Sequence, residues 1–236
     1  MKRMKKTLTL AVVLMTSIAL FAQEKKDVTK FLGIPIDGYK SEMISKLKAK
    51  GFTSTSHDKN VLEGEFNGKD VELHVVTNNN KVYRIIVADK NYVSETSIRI
   101  RFNNLLNQFE NNSNYFGDSN NEYIADDENI SYNINVKNKR YEVIFYQGFT
   151  PFIKELESTL EKKYGIKNPM DLLENENLSQ SEKKIALEYT TSYIKDYLDN
   201  TLYNNKVWFM IDENYGKYRI LMFYDNCYNQ ANGEDL

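Results

Sequence analysis

Residues 61–89 read VLEGEFNGKDVELHVVTNNNKVYRIIVAD, three apolar-rich runs separated by asparagine-rich turns. In the middle run Val71, Leu73 and Val75 alternate with Glu72 and His74, the period-two pattern of a strand with one buried face. Leu62-Gly64-Phe66 precedes it and Val82–Ala88 follows. Asn67-Gly68 and Asn78-Asn79-Asn80 tolerate the positive φ that tight hairpins require. The stretch therefore predicts a three-stranded antiparallel meander. Just upstream, Met43, Ile44 and Leu47 share one face of a helix over Tyr39–Lys50. Gly51 stands where a left-handed residue closes a helix, and Phe52 is placed to fold back onto Leu47.

The same order, a helix and then strands, recurs toward the C-terminus. Ser94 is an N-cap candidate, and Ile98, Phe102, Leu105 and Phe109 make one helical stripe after it. A polar loop, Asn111–Asn129, leads to two expected strands, Ile130–Val136 and Arg140–Gln147, joined at Lys137-Asn138-Lys139. Thr150-Pro151 opens a third helix with proline at its first position; Ile153, Leu156, Leu160 and Tyr164 face inward and Gly165 ends it. Asn168-Pro169 starts a short helix through Leu173. Ser179-Gln180-Ser181-Glu182 is a capping box for a helix to about Asn200, along which Tyr189, Tyr193 and Tyr197 line up. Lys206–Asp212 and Lys217–Asp225 close the chain as a hairpin across Glu213-Asn214-Tyr215-Gly216.

The expected class is α+β: an antiparallel β-sheet with helices packed mainly on one face, in the manner of repeated helix–hairpin units. Arg140–Gln147 and Lys217–Asp225 share a basic–aromatic–charged–aliphatic order that fits either a duplication or any half-buried strand. Residues 23–149 read as one body. Residues 150–236 read as a continuation of its sheet or as a second lobe.

The N-terminus carries Lys2, Arg3, Lys5 and Lys6, then an apolar run from Leu8 to Leu20, then Ala22-Gln23. A cationic stub, a short apolar core and a small residue at the boundary predict a signal peptide over residues 1–22, cleaved after Ala22. The run falls short of the ~20 residues of a spanning helix, and no boundary cysteine offers a lipid-attachment site. The expected location is periplasmic or extracellular. Losing the leader removes four bases and no acid, so the net charge of −2 becomes about −6. Such a chain lacks the basic stripes that nucleic acid needs and the polybasic grip that anionic lipid needs.

Catalytic and metal signatures fail on inspection. His57 and His74 have no ligand-like spacing. Asp118-Ser119-Asn120-Asn121-Glu122 begins like a calcium loop, but Tyr123 stands where glycine belongs and Asn129 where the bidentate glutamate belongs. Cys227 is the only cysteine; it reads as a small tucked-in side chain, a free thiol or an intermolecular partner. No nucleophile elbow or phosphate loop occurs, and no cofactor is called for.

The aromatic content is the informative departure, with 17 Tyr, 12 Phe and a single Trp. The strands of the closing hairpin are apolar on both sides, where a sheet covered on one face alternates apolar with polar. Either helices cover both faces, the segment 151–200 supplying the second cover, or one face is a patch awaiting a partner. Alternation sets Trp208 and Met210 on one side of their strand and Leu221 and Phe223 on one side of theirs, with Tyr146 joining them if the sheet is continuous. Trp208, Phe223, Tyr146, Met210 and Leu221 are the candidate binding residues. The reading is a non-catalytic exported binding protein for a protein or peptide; a glycan- or peptidoglycan-acting enzyme with unrecognised carboxylates is the alternative, and self-association through the same face a third.

Phe31-Leu32-Gly33-Ile34-Pro35-Ile36-Asp37-Gly38, the Leu20-Phe21-Ala22-Gln23 boundary and the ending Tyr224-Asp225-Asn226 … Asn232-Gly233-Glu234-Asp235-Leu236 resemble a set of secreted proteins of Bacteroides-type bacteria that carry no assigned activity. From Gly33 through the meander the layout is similar to BLIP-like and BamE-like periplasmic domains. That resemblance implies a helix-then-antiparallel-sheet unit that binds other proteins without catalysis.

Overall fold

The computed structural model describes residues 27–167, 178–200 and 202–231. The expected leader, the short helix expected from Asn168-Pro169 and the ending 232–236 lie outside the described residues. In chain order the elements are β1 (Lys30–Phe31), β2 (Ile34–Pro35), α1 (Lys40–Ala49), β3 (Thr53–Ser54), β4 (Val61–Phe66), β5 (Lys69–Asn78), β6 (Lys81–Asp89), α2 (Glu95–Glu110), β7 (Tyr115–Gly117), α3 (Ile130–Asn135), β8 (Glu142–Gln147), α4 (Phe149–Tyr164), α5 (Gln180–Asn200), β9 (Lys206–Asn214) and β10 (Lys217–Asp225).

Local chemistry sets the boundaries. The Phe52 amide bonds the Leu47 carbonyl and the Gly51 amide bonds that of Lys48, with Gly51 at φ 103°. This is the Schellman closure that the sequence predicts, and both Leu47 and Phe52 are buried. Three hairpins turn on consecutive left-handed residues, Asn67-Gly68, Asn79-Asn80 and Tyr215-Gly216, the backbone of a turn that matches strand twist. The Ser94 side chain caps α2 by accepting from the Ser97 amide. Ser179 and Glu182 form the expected capping box at α5, Glu182 reaching the Ser179 amide at 2.9 Å and Ser179 accepting from the Glu182 amide at 3.3 Å.

Eight strands form one sheet in the order β3-β4-β5-β6-β10-β9-β8-β7, every pairing antiparallel. Two four-stranded meanders therefore meet back to back at β6 and β10, each preceded by a helix. α1 packs on β5 and β6, and α2 on β9 and β10. Their buried side chains, among them Met43, Leu47, Ile98, Phe102 and Phe109, share a core with the inward residues of the sheet. Helix cover on one face is thus the architecture. The two strands with similar sequences, β8 and β10, are not equivalents in this arrangement: β8 corresponds to β4, and β10 to β6.

Residues Ile130–Val136 do not form the expected strand. Asn129 accepts a hydrogen bond from the Tyr132 amide at 2.8 Å and caps a helix instead. Ile130 and Asn133 are buried, and the Asn133 side-chain Nδ2 donates to the Tyr141 hydroxyl and to Glu128. The backbone of β8 that such a strand would have paired is held by β7 and by Asn121, whose side chain both accepts from and donates to the Ile144 backbone at 2.8 and 2.7 Å.

Helix α4 starts two residues earlier than the sequence suggests, so Pro151 is its third residue; it ends on Gly165 at φ 68°. Phe152, Leu156, Leu160, Ile166 and Ala186 form a second core, with Tyr189, Tyr193 and Tyr197 packed against it. β8 and β9 pair directly, Tyr146 opposite Lys206. The α4–α5 hairpin is therefore an insertion between two neighbouring strands. It meets the sheet at the edge strand β7 and does not supply the second cover.

Candidate functional site

Strand alternation separates the two sheet faces. Val207, Phe209 and Ile211 of β9 and Tyr218, Ile220, Met222 and Tyr224 of β10 belong to the main core. The opposite face carries Lys206, Trp208, Met210 and Asp212, then Arg219, Leu221, Phe223 and Asp225. In β8, Ile144 and Tyr146 share that outer face, because Val143 and Phe145 point into the core. On β6 a bulge resets the alternation: Thr77 pairs with Val82 but Val76 with Arg84, leaving Tyr83 as the extra residue. Ile85 and Val87 then face the core, and Arg84 and Ile86 face out.

Register assembles these side chains into one row. Ile144 lies opposite Trp208, Trp208 opposite Phe223, Phe223 opposite Ile86, and Ile86 opposite His74. A second row sets Met210 opposite Leu221, and Leu221 opposite Ala88. All five candidate residues from the sequence thus lie on one face, and four of them are in direct cross-strand pairs. Tyr146 sits at the margin, edge-on to Tyr203 at 5.1 Å between ring centroids and opposite the exposed Phe116. Among the described residues neither core includes a side chain of this outer face.

One buried carboxylate organises the site. Asp225, 3 % exposed, receives both arms of the Arg84 guanidinium, Nε at 2.5 Å and Nη2 at 2.8 Å. The Trp208 indole N–H donates to the same carboxylate at 2.9 Å. The hydrogen bond to Asp225 raises the Arg84 pKa above its ordinary value against the opposing effect of burial. Asp225 also anchors the N-terminal segment, since the Thr29 hydroxyl donates to its backbone carbonyl. Held this way, the Trp208 ring stacks on Phe223 at 3.9 Å with 11° between the planes. The Arg84 guanidinium lies 5.2 Å from the Phe223 centroid and the Lys206 ammonium 5.3 Å from that of Trp208. The result is a stiff aromatic pair flanked by two cations, in which Phe223 is itself buried, 7 % exposed.

Arg84, Ile86 and Asp225 were absent from the candidate set. The Arg84–Asp225 pair joins residues 141 positions apart, and the β6–β10 pairing that creates it leaves no local pattern in the chain. The residues weighed for metal do not converge. His57 bonds its neighbour Ser56 at the surface, His74 lies in the outer row, and Asp118 bonds Asn120 within its own turn. Among the described residues no group of three or more His, Cys, Asp and Glu is placed to hold a metal. Cys227 is half-buried, its thiol 3.8 Å from the Tyr203 carbonyl, and burial pushes its pKa up.

Fold and face together define an antiparallel α+β protein with α1 and α2 packed on one side of the sheet and Trp208 and Phe223 on the other. No described helix is long and apolar enough to cross a membrane. Comparison with family models, with curated proteins and with solved structures gave no match.

Proposed function

We propose that this is an exported, non-catalytic binding protein that engages a protein or peptide through the outer face of its sheet. The observation carrying this reading is the row Ile144–Trp208–Phe223–Ile86, a contiguous apolar strip outside both cores whose central pair is fixed by Asp225. Pre-ordered aromatic side chains lose little entropy on association, so a strip of this kind binds more tightly than its area alone suggests. Both sheet edges are short, β3 with two residues and β7 with three, which favours the face over the edges as the contact. The layout similarity to protein-binding periplasmic domains points the same way.

The test is site-directed photo-crosslinking in cells that export the protein. A crosslinker at Met210 or Leu221 gives a discrete adduct, and one at Ile100, exposed on α2, does not. Trp208→Ser combined with Leu221→Asp removes the adduct while the thermal transition stays cooperative. Equal adducts from both faces, or none from Met210 and Leu221, sink the reading.

A further inference from the structure

Strand β7 ends the sheet, bonded to β8 on one side and, among the described residues, to no strand on the other. The Gly148 amide bonds the Asn114 carbonyl, and the Asp118 amide bonds the Ile144 carbonyl. Backbone groups alternate along an antiparallel ladder, so Phe116 also turns its own toward β8, and Tyr115 and Gly117 turn theirs away. The Tyr115 amide is taken within its own turn, by the Asn112 carbonyl at 2.9 Å. Three groups remain at the free edge: the Tyr115 carbonyl and both the N–H and the carbonyl of Gly117. Among the described residues none of the three has a hydrogen-bond partner.

That edge borders a cavity of about 610 Å³ between β7, the end of α2 and α4. Gly117 lines it and is partly exposed; a glycine presents only its main chain. Helix α4 packs beside the strand but cannot pair with it, because amides and carbonyls in a helix interior are used within the helix. Water and an extended main chain are the partners that such an edge accepts. A strand of three residues is too short to seed open-ended sheet growth. Walled by a helix, it holds one short segment.

The walls set the side chains that such a segment carries. Phe116, 42 % exposed, and Ile153 give apolar surface from the strand and from the helix. Two carboxylates, Glu110 and Glu157, stand against one ammonium, Lys154, so the lining favours a basic segment over an acidic one. We propose that this groove binds a short extended peptide segment of another protein by strand addition to β7, with an apolar side chain against Phe116 and Ile153 and a basic one toward Glu110 and Glu157. Added antiparallel, one incoming residue exchanges both backbone bonds with Gly117, and the residue two positions further along donates to the Tyr115 carbonyl. None of the five outer-face candidates lines this groove, so the site stands or falls apart from the outer-face reading.

The experiment is selection of a displayed library of random linear peptides on the purified full chain, followed by calorimetry with the enriched peptides synthesised with blocked ends. The expected result is enrichment of peptides that combine apolar and basic residues. Gly117→Pro removes the outward N–H and spares the β7–β8 bonds, none of which Gly117 makes. Gly117→Ala is its control: it adds the same Cβ, 3.1 Å from Phe145 Cε1, and keeps the N–H. The proline variant binds roughly tenfold or more weaker than the alanine variant, the loss expected when one hydrogen bond goes and its partner is left unpaired. Should the proline variant fail to fold, N-methylation of the peptide gives the same reading on the unaltered protein. Methyl groups at two positions spaced by two weaken binding by a similar factor, and one between them does not. Enrichment of acidic peptides overturns the charge assignment. No enrichment, equal affinity of the proline and alanine variants, indifference to N-methylation, or loss of binding in the Trp208→Ser, Leu221→Asp double variant overturns the site.

Discussion

Asp225 ties together β6, β9 and the N-terminal segment. It takes three hydrogen bonds from two strands, through Arg84 and Trp208, and its backbone receives Thr29 from the N-terminal segment. Replacing one member of a buried ion pair leaves the other uncompensated, a loss of roughly 3–5 kcal/mol. Asp225→Asn keeps an acceptor for Trp208 but not the charge, and Arg84 retains some access to water. The expected loss is therefore at the lower end, about 3 kcal/mol, read as a shift of the urea midpoint with a red shift of Trp208 emission. An unchanged midpoint would show that the pair is replaceable. Glu128 supplies a second test, through pH. Burial works to raise its pKa, but hydrogen bonds from Lys139 and Tyr141 outweigh that and hold it below the ordinary value. A depressed folded-state pKa contributes stability that is present above the unfolded-state value of about 4.5 and is lost as pH falls through the folded-state value. Glu128→Gln should lower stability at neutral pH and flatten the acid limb of the pH–stability curve below about 4.5; an acid limb identical to that of the parent protein would remove Glu128 from that limb.

At the scale of elements, the sequence is most legible where one local rule suffices. The α1 closure at Gly51-Phe52, the three left-handed turns, the Ser94 cap and the capping box at Ser179 all depend on residues within a few positions of each other. The same holds for the α2 stripe, where Ile98, Phe102 and Leu105 are buried as spacing predicts. Ile130–Val136 failed because its apolar residues fit period two as well as a helical turn, and the deciding interactions, Asn129 capping the Tyr132 amide and Asn133 bonding Tyr141, are not periodic at all. The outer face is half legible: alternation groups Trp208 with Met210 and Leu221 with Phe223, but the bulge at Tyr83 that turns Arg84 and Ile86 outward has no sequence signature. Gly64 belongs to this scale too. A Cβ at that position in β4 would meet Phe52 Cδ1 at 2.7 Å, so the glycine makes room for the ring that closes α1. Gly64→Ala forces Phe52 off its seat beside Phe31, 6.4 Å between centroids. Overpacking of this kind costs about 1–3 kcal/mol. Thermal denaturation should show that loss, and Phe52→Leu should relieve part of it; additive losses in the double variant would mean that the two side chains do not compete.

Across the whole molecule, two cores of different rank share one chain. The main core is continuous through both meanders, because β6 and β10 pair over five residues at the centre of the sheet and Phe31 reaches Phe66 and Tyr224 from the β1 segment. The second core lies within the α4–α5 hairpin, built on Phe152 stacking between Tyr193 and Tyr197, and is linked back through the Tyr197 hydroxyl donating to the Gly148 carbonyl at 2.9 Å. No repeat in the sequence reveals this division, since the insertion separates two strands that are neighbours in space and makes the second meander look like a different unit from the first. The geometry nevertheless defines where the insertion begins and ends. The Gln147 amide bonds the Asn205 carbonyl at 2.9 Å, so the two chain ends at that point are already a hairpin apart. Replacing residues 148–204 with an Asn-Gly turn should close β8 directly onto β9, a two-residue connection whose backbone suits the twist of antiparallel strands. The shortened chain is expected to keep the Trp208 emission, the near-ultraviolet ellipticity of the Trp208–Phe223 stack and a single cooperative transition. In the full chain, amide exchange in α4 and α5 should be faster than in β6, β9 and β10, because the smaller core can open without disturbing the larger one. Loss of the Trp208 signals on shortening, or equal protection in both cores, would instead mean that the insertion is part of the fold that it interrupts.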